Sequence, residues 1–163
     1  MKVAPQGAGS VSSSSGWYNA GSNVVTVNGV SYTYSQLPVT VYVAPGSTVT
    51  YSFNSPLSGG AGTQFVWQST SGIGSAQSGS FTVPDAPSYL TGNYQTQYYL
   101  TMGVSFSSAG SVTPGSGWYN AGSQVTITAT ASAGYAFLNW SGSGSGSYSG
   151  KDNPATVTIN GPV

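Results

Sequence analysis

Short runs of β-branched and aromatic residues, each bounded by glycine, proline or asparagine, recur along the whole chain. Residues 24–27 and 30–34 flank the dipeptide Asn28-Gly29, which favours a type I′ turn, so this stretch predicts a β-hairpin. No segment shows the helical spacing of apolar positions that an amphipathic helix requires. The pattern therefore predicts an all-β protein.

Further strands are predicted at similar spacing along the chain. Alternating or apolar runs occupy residues 39–43, 48–53, 63–68, 80–83, 94–106, 124–131, 135–140 and 155–159. The run 94–106 is either one long strand or two strands joined near Gly103. Short strands separated by frequent turns are typical of β-sandwiches and small barrels.

A fifteen-residue motif occurs twice. Residues 8–22 read AGSVSSSSGWYNAGS and residues 109–123 read AGSVTPGSGWYNAGS, with twelve of fifteen positions identical at an offset of 101 residues. Further along, residues 46–53 resemble 122–129 and residues 80–83 resemble 155–159, more loosely. The repetition predicts two small β-rich units in tandem, covering residues 1–103 and 104–163, and the short strands favour a sandwich.

The second predicted unit stops soon after a turn signal. Residues 157–159 and the dipeptide Asn160-Gly161 predict another hairpin, but only Pro162 and Val163 follow as a return strand. We therefore expect the second unit to lack its last strand, and an unpaired sheet edge attracts another chain. Two interpretations stay open: a neighbouring subunit donates the missing strand, or the sequence is a piece of a longer array.

Charged residues are almost absent from the chain. Lys2, Lys151, Asp85 and Asp152 are the only ones among 163 residues, and arginine, glutamate, histidine and cysteine do not occur. Because a net charge near zero removes the repulsion that keeps proteins apart, we expect self-association unless glycans shield the surface. With so few ionisable groups, stability should vary little with pH. The chain has no basic patch for nucleic acid and no apolar run long enough to span a membrane.

Candidate catalytic and metal-binding groups are few. Asp85 and Asp152 lie 67 residues apart in turn-like sequence, which favours turn formation over an aspartic dyad. A Ser-His-Asp triad is excluded by the absence of histidine. Lys151-Asp152-Asn153 offers too few ligands for more than a weak Ca²⁺ site, and an internal amide from Lys151 is a weaker alternative. We therefore expect no enzyme activity, no metal and no cofactor.

Two kinds of residue are candidates for surface roles. Asn139-Trp140-Ser141 is the only N-glycosylation sequon, and it precedes the glycine-rich residues 141–150, which we expect to be flexible. Asn139 is therefore a candidate glycan acceptor. We expect the aromatic residues of the repeated motif, and the tryptophan of the sequon, to serve packing or an interface rather than sugar binding. These are Trp17, Tyr18, Trp118, Tyr119 and Trp140.

The second unit resembles a known family. Residues 110–163 contain GSVTP, GWYNAGSQVTITATASAGYAFLNWSG and NPATVTINGPV, a pattern similar to the internalin B-repeat, in which a Gly-Tyr-x-Phe-x-x-Trp strand follows an alternating strand. The segments GTQFVWQSTSG and GNYQTQYYLT of the first unit are similar to long secreted surface proteins of thermoacidophilic archaea. The resemblance implies small β-rich units, with a β-grasp-like fold as the alternative to a sandwich, that serve cell-surface proteins as spacer, adhesin or filament part, without catalytic residues.

Together these features predict an extracellular or cell-surface structural subunit. We expect it to assemble with copies of itself into a filament, a pilus-like fibre or a surface layer. The alternatives are a carbohydrate-binding or partner-binding adhesin module, and a non-catalytic accessory domain of a larger secreted protein. No secretion leader follows Met1 and Lys2, so we expect either that a leader has been removed or that export follows another route.

Overall fold

The structure, a computed structural model, describes residues 2–6 and 21–163. Their regular structure is β except for one 3-10 turn at Tyr34–Gln36, so the all-β prediction is confirmed. The strands are β1 (Lys2–Gln6), β2 (Asn23–Val27), β3 (Val30–Thr33), β4 (Val39–Thr40), β5 (Thr48–Phe53), β6 (Leu57–Ser58), β7 (Thr63–Gly72), β8 (Ser78–Thr82), β9 (Tyr89–Leu100), β10 (Gly110–Thr113), β11 (Gly117–Asn120), β12 (Gln124–Ala131) and β13 (Ala155–Thr158).

The chain forms two compact units. The first consists of Gln64–Thr96 and the described part of Met1–Gly60, and the second consists of Ala61–Thr63 and Gln97–Val163. The division into repeats at residue 103 stays a prediction. Among the residues that the structure describes, no helix has the length and hydropathy of a membrane span.

The first unit is a sandwich of two sheets. One sheet has the antiparallel order β3-β2-β5-β8, and the other has the order β4-β1-β9-β7-β6, in which β1 runs parallel to β9. Both sheets contribute to one hydrophobic core, which includes Val25, Val49 and Phe53 from the first sheet and Leu90 and Tyr94 from the second. The core forms because each strand alternates: in β5, Val49 and Phe53 are buried while Thr48 and Thr50 are exposed.

The predicted hairpin in the first unit is confirmed. Val27 pairs with Val30 across a two-residue turn, and the turn residues Asn28 and Gly29 have φ values of 48° and 77°. These positive values define a type I′ turn, whose twist matches that of the flanking strands. The Asn28 side chain also accepts a hydrogen bond from the Thr50 amide at 2.9 Å, which ties the turn to the neighbouring strand β5.

The second unit contains a three-stranded antiparallel sheet with the order β10-β12-β13. Strand β11 pairs antiparallel with residues 97–100 of β9. The core of this unit is built from six residues, and their alternation along β12 and β13 gives the sheet one apolar face. They are Leu100, Val125, Ile127, Ala155, Val157 and Ile159.

The end of the chain differs from the predicted hairpin. Neither Asn160 nor Gly161 has the positive φ that a type I′ turn needs. Instead, the Val163 amide donates to the Tyr99 carbonyl at 3.1 Å and the Thr101 amide donates to the Val163 carbonyl at 2.6 Å. The run 94–106, predicted as one long strand or as two strands joined near Gly103, contains only the end of β9, because the strand stops at Leu100 and residues 101–109 are not in a strand.

Candidate functional site

A strand pair of the first unit recurs in the second unit with the same register. In the first unit β5 pairs with β8 through Thr48 and Thr82, and in the second unit β12 pairs with β13 through Gln124 and Thr158. Both members of the pair thus recur 76 residues further along the chain. The looser sequence resemblance between residues 46–53 and 122–129 is therefore a structural correspondence.

The turns that precede β5 and β12 are also the same. The Ser47 amide and hydroxyl both donate to the Ala44 carbonyl, at 3.1 and 2.6 Å. The Ser123 amide and hydroxyl donate to the Asn120 carbonyl, at 3.1 and 2.7 Å. This agreement extends the correspondence from the strands to the turns.

The correspondence also includes the next strand of each sheet. Val25 of β2 lies opposite Phe53 of β5, and Val112 of β10 lies opposite Ala129 of β12. Strand β10 is therefore the counterpart of β2. On the far side of β2 lies β3, whereas β10 has no strand on its far side among the described residues, so the second sheet lacks the fourth strand of the first.

The side chains at these equivalent positions differ in burial. Val25 and Phe53 are fully buried in the sandwich core, but Val112 and Ala129 are only half-buried. An open groove of about 450 Å³ lies over this end of the second sheet, and its lining comprises residues 103–106, 109–112, 129–131 and 135–141. None of the lining residues is charged. The apolar face of the second sheet is thus uncovered at its β10 end.

Large apolar side chains form the walls of the groove while remaining accessible to solvent. Leu138 is 77% exposed, Phe106 70%, Tyr135 50% and Val104 40%. The Tyr135 hydroxyl lies 3.2 Å from the Ser108 hydroxyl, a hydrogen bond that holds the tyrosine ring at the wall. Exposed apolar side chains that cluster in one groove are typical of a binding surface.

The segment 135–140, predicted as a strand, is not one. Gly134 turns the chain with φ of 82°, and the Tyr135 amide donates back to the Ser132 carbonyl at 3.0 Å. After that, the amides of residues 136–139 form no hydrogen bond within the described structure. Only Trp140 pairs, in an isolated bridge with Gly150. The strand prediction was wrong because, among residues 2–6 and 21–163, no neighbouring strand completes the pairing.

The glycine-rich residues 141–150, for which flexibility was predicted, form a loop with internal hydrogen bonds and close backbone contacts. The Trp140–Gly150 bridge closes the loop, and the Gly142 amide donates to the Ser149 hydroxyl at 3.0 Å. Gly146 has φ of 89° and lies so close to the Thr158 carbonyl that a Cβ there would overlap the oxygen. Glycine is used here for close backbone packing rather than for mobility.

The predicted glycan acceptor Asn139 lies at the wall of the groove. Its side chain is exposed, and its amide nitrogen donates to the Trp140 carbonyl at 3.0 Å. Ser141, the third residue of the sequon, is exposed as well. Both side chains are therefore accessible at the surface of the second unit.

The predicted packing or interface residues have different surroundings. Trp118 is 40% exposed and its ring stands edge-on to Tyr99 at 5.1 Å, while Tyr119 packs against the core of the second unit. Trp140 also packs against this core, and its indole N–H donates to the Asp152 carbonyl at 3.1 Å. Trp17 and Tyr18 lie outside the described residues.

Among the described residues, acidic side chains do not gather into a metal site. In the part of the chain that the structure describes, no group of three or more acidic, histidine or cysteine side chains is placed to hold a metal ion. Asp152 accepts a hydrogen bond from the Tyr148 hydroxyl at 2.9 Å, so its carboxylate contributes to the structure of the loop.

One ionisable side chain of the first unit lies in its core. Burial raises the pKa of Tyr94 well above its usual value, and the Tyr94 hydroxyl donates to the Asn54 carbonyl at 2.9 Å.

Comparison with known proteins supports the resemblance of the second unit. No curated protein and no solved structure matches the chain. A family model does match it: residues 100–163 fit the divergent InlB B-repeat domain, and residues 1–99 lie outside that match. The resemblance to the internalin B-repeat is thus confirmed: residues 100–163 of this chain are similar to the divergent InlB B-repeat domain.

Proposed function

We propose that this chain is an extracellular structural subunit that assembles with copies of itself through the groove of its second unit. The match to a surface repeat domain points to a surface or extracellular module. The finer step, self-assembly, rests on one observation: an uncharged groove of about 450 Å³ whose walls expose Leu138, Phe106 and Tyr135. Clusters of this kind are rare on monomeric proteins unless they serve a partner.

The charge distribution supports association between copies. The described residues 21–163 carry only Lys151, Asp85 and Asp152 as charged side chains, so two copies meet almost no electrostatic repulsion. A charged partner would find no complementary group in the groove. An uncharged β surface, such as a second copy presents, matches the groove better.

The chemistry of the groove supports a structural role rather than catalysis. Apart from the indole N–H of Trp140, its polar side-chain groups are hydroxyls and one carboxamide, from Ser105, Ser111, Thr130, Tyr135, Asn139 and Ser141. No carboxylate, imidazole, amine or thiol lines the groove, and these are the side chains that most often serve general acid–base catalysis. The groove therefore offers mainly contact area and hydrogen bonds.

We further propose that Asn139 carries a glycan when the protein is made by a glycosylating cell. Its exposed side chain and the exposed Ser141 meet the accessibility that the sequon needs. Since Asn139 lies at the wall of the groove, a glycan there shields exposed apolar side chains from contact. Glycosylation would thus keep the surface soluble and limit association at the groove.

Molar mass measured by light scattering tests the assembly proposal. The unmodified chain should associate as concentration rises, and Leu138→Ser and Phe106→Ser should each weaken the association. Both side chains are mostly exposed, so their replacement leaves the core intact. Tyr42→Ser is the matched control, because Tyr42 is 93% exposed in the first unit and lines no part of the groove. A chain that stays monomeric at every concentration contradicts the proposal.

A carbohydrate-binding module is the second candidate, because two exposed rings, Phe106 and Tyr135, line the same groove. Aromatic rings of this kind can stack on the apolar face of a sugar. Binding to a glycan array that is lost in both Phe106→Ser and Tyr135→Ser, in a chain that remains monomeric, would favour this function over assembly.

A further inference from the structure

We infer that the outer edge of β10 pairs with the same edge of a second copy, antiparallel and about a two-fold axis centred on Val112. The pairing joins two three-stranded sheets into one with the order β13-β12-β10-β10-β12-β13. This inference rests on the proposed self-assembly and specifies the surface, the partner and the register.

The direction of the backbone groups of Val112 follows from a contact on the other side of the sheet. The Asn153 side chain bonds both the amide and the carbonyl of Ala129, at 2.8 and 2.7 Å, on the β13 side of β12. The amide and carbonyl of Ala129 therefore point toward β13 and away from β10. Val112 lies opposite Ala129, so the two residues form a non-hydrogen-bonded pair. In such a pair the amide and carbonyl of Val112 point away from β12. Within the described structure these two groups meet no other strand.

The first unit shows how such an edge is completed. Val25, the counterpart of Val112, directs its amide and carbonyl toward β3, where it lies opposite Tyr32. Strand β3 is antiparallel to β2. A strand that completes the β10 edge in the same way must also be antiparallel and must place a residue opposite Val112.

The β10 edge is complementary to itself. In an antiparallel pair, a residue whose amide and carbonyl both point outward exchanges two hydrogen bonds with its opposite residue. When that opposite residue is Val112 of a second copy, the two-fold axis passes between the two valines, and Ser111 lies opposite Thr113. No charged side chain occurs in Gly110–Thr113 to oppose this contact.

The same pairing covers the exposed face of the sheet. Opposite residues of neighbouring strands project to the same face, so both Val112 side chains lie on the apolar face. The grooves of the two copies then form one continuous groove. Its apolar lining includes Phe106 and Leu138 of both copies. A hydrophilic partner would gain nothing from this face, which is why we assign the place to a second copy.

Proline substitution tests the edge. Val112→Pro removes the outward amide that donates across the two-fold axis. No hydrogen bond to β12 is lost, so the sheet of each copy should still form. The molar mass should then no longer double as the protein concentration rises. Thr156→Pro is the matched control on the opposite edge of the same sheet, because Thr156 is exposed and its amide points away from β12. This control should still double in mass. Circular dichroism identifies any variant that fails to fold.

Cysteine cross-linking tests the register without a folding risk, because the chain has no native cysteine. Ser111→Cys and Thr113→Cys lie at exposed positions, and a mixture of the two variants should form an intermolecular disulfide under mild oxidation. Either variant alone should form much less disulfide, because residue 111 of one copy does not lie opposite residue 111 of the other, and the same holds for residue 113.

The outcomes separate this inference from the proposed function. Association that persists in Val112→Pro, or that lacks the mixed disulfide, overturns the β10 pairing and leaves assembly through another surface. An unmodified chain that never associates and never cross-links overturns both.

Discussion

The side chain of Asn153 pairs with the backbone of Ala129 as a strand residue would. Its Oδ1 accepts from the Ala129 amide at 2.8 Å, and its Nδ2 donates to the Ala129 carbonyl at 2.7 Å. Strand β13 begins two residues later, at Ala155. One carboxamide thus continues the ladder of β12 beyond the end of β13.

Asn153→Asp should destabilise the protein because a carboxylate cannot donate to the Ala129 carbonyl. The change replaces an attraction by a repulsion between two oxygens, and we expect a loss of about 1–3 kcal/mol in the free energy of unfolding. Urea denaturation at neutral pH measures it. Asn160→Asp is the control, since that exposed side chain makes no hydrogen bond in the described structure. Equal effects of the two changes would show that the Asn153 contact contributes nothing.

Ala129→Phe should fill the groove from within. Ala129 is the counterpart of the buried Phe53, and it is half-buried at the floor of the groove. A phenyl ring that covers this face should raise stability by about 1–2 kcal/mol and should weaken association between copies. Thermal unfolding and light scattering measure the two effects.

Thr126→Phe is the control for this prediction, because Thr126 lies on the same strand with its exposed side chain on the opposite face. It should raise neither stability nor the monomer fraction. If Ala129→Phe destabilises the protein, the groove is not an unfilled part of the core.

Gly146→Ala should disrupt the loop 141–150. The new methyl group would overlap the Thr158 carbonyl oxygen, in addition to the cost of a positive φ. Gly134→Ala isolates that second cost, because Gly134 has φ of 82° and an added Cβ there meets nothing within 4 Å. We expect a loss of about 1 kcal/mol for Gly134→Ala and of at least about 3 kcal/mol for Gly146→Ala. Similar losses in urea denaturation would contradict the close packing of the loop.

The local features of the fold were predictable from the sequence because their causes are local. The dipeptide Asn28-Gly29 fixes its own turn, since few residues tolerate positive φ. The alternation in β5 assigns its buried face in the same way. The correspondence of residues 46–53 with 122–129 was also visible in sequence, since the same turn and alternation recur.

The groove was not predictable, because strand pairing depends on residues far away along the chain. Residues 135–140 carry a strand pattern, yet residues 136–139 remain unpaired because no strand lies beside them within the described structure. The glycine-rich residues 141–150 looked flexible, but the lack of a Cβ serves equally for close contact, as Gly146 shows. Composition alone does not distinguish these two uses of glycine.

Glycosylation of Asn139 should be detectable and should oppose association. Protein from a glycosylating host should carry added mass on the peptide that contains Asn139, and the glycosylated form should associate more weakly than the bare form. Ser141→Ala removes the sequon and Ser141→Thr keeps it, so the mass should vanish in the first variant only. Unmodified Asn139 in both the parent and Ser141→Thr would rule out this role.

The stability of the protein should be flat across the acidic and neutral range and should fall in alkali. Burial raises the pKa of Tyr94 above its usual value of 10.0. Below about pH 10 the side chain is therefore neutral in both the folded and the unfolded state. In that range its contribution to the free energy of unfolding does not change with pH. Above that pH the unfolded chain loses the proton while the folded protein retains it, and the free energy of unfolding falls by up to about 1.4 kcal/mol per pH unit from this group.

Tyr94→Phe should therefore reduce the alkaline slope. It should also lower stability at neutral pH by about 1 kcal/mol, because the hydrogen bond to the Asn54 carbonyl is lost. Tyr42→Phe, at a position that is 93% exposed, should change neither value. Chemical denaturation at a series of pH values measures both quantities, and an unchanged alkaline slope in Tyr94→Phe would assign the loss of stability to other groups.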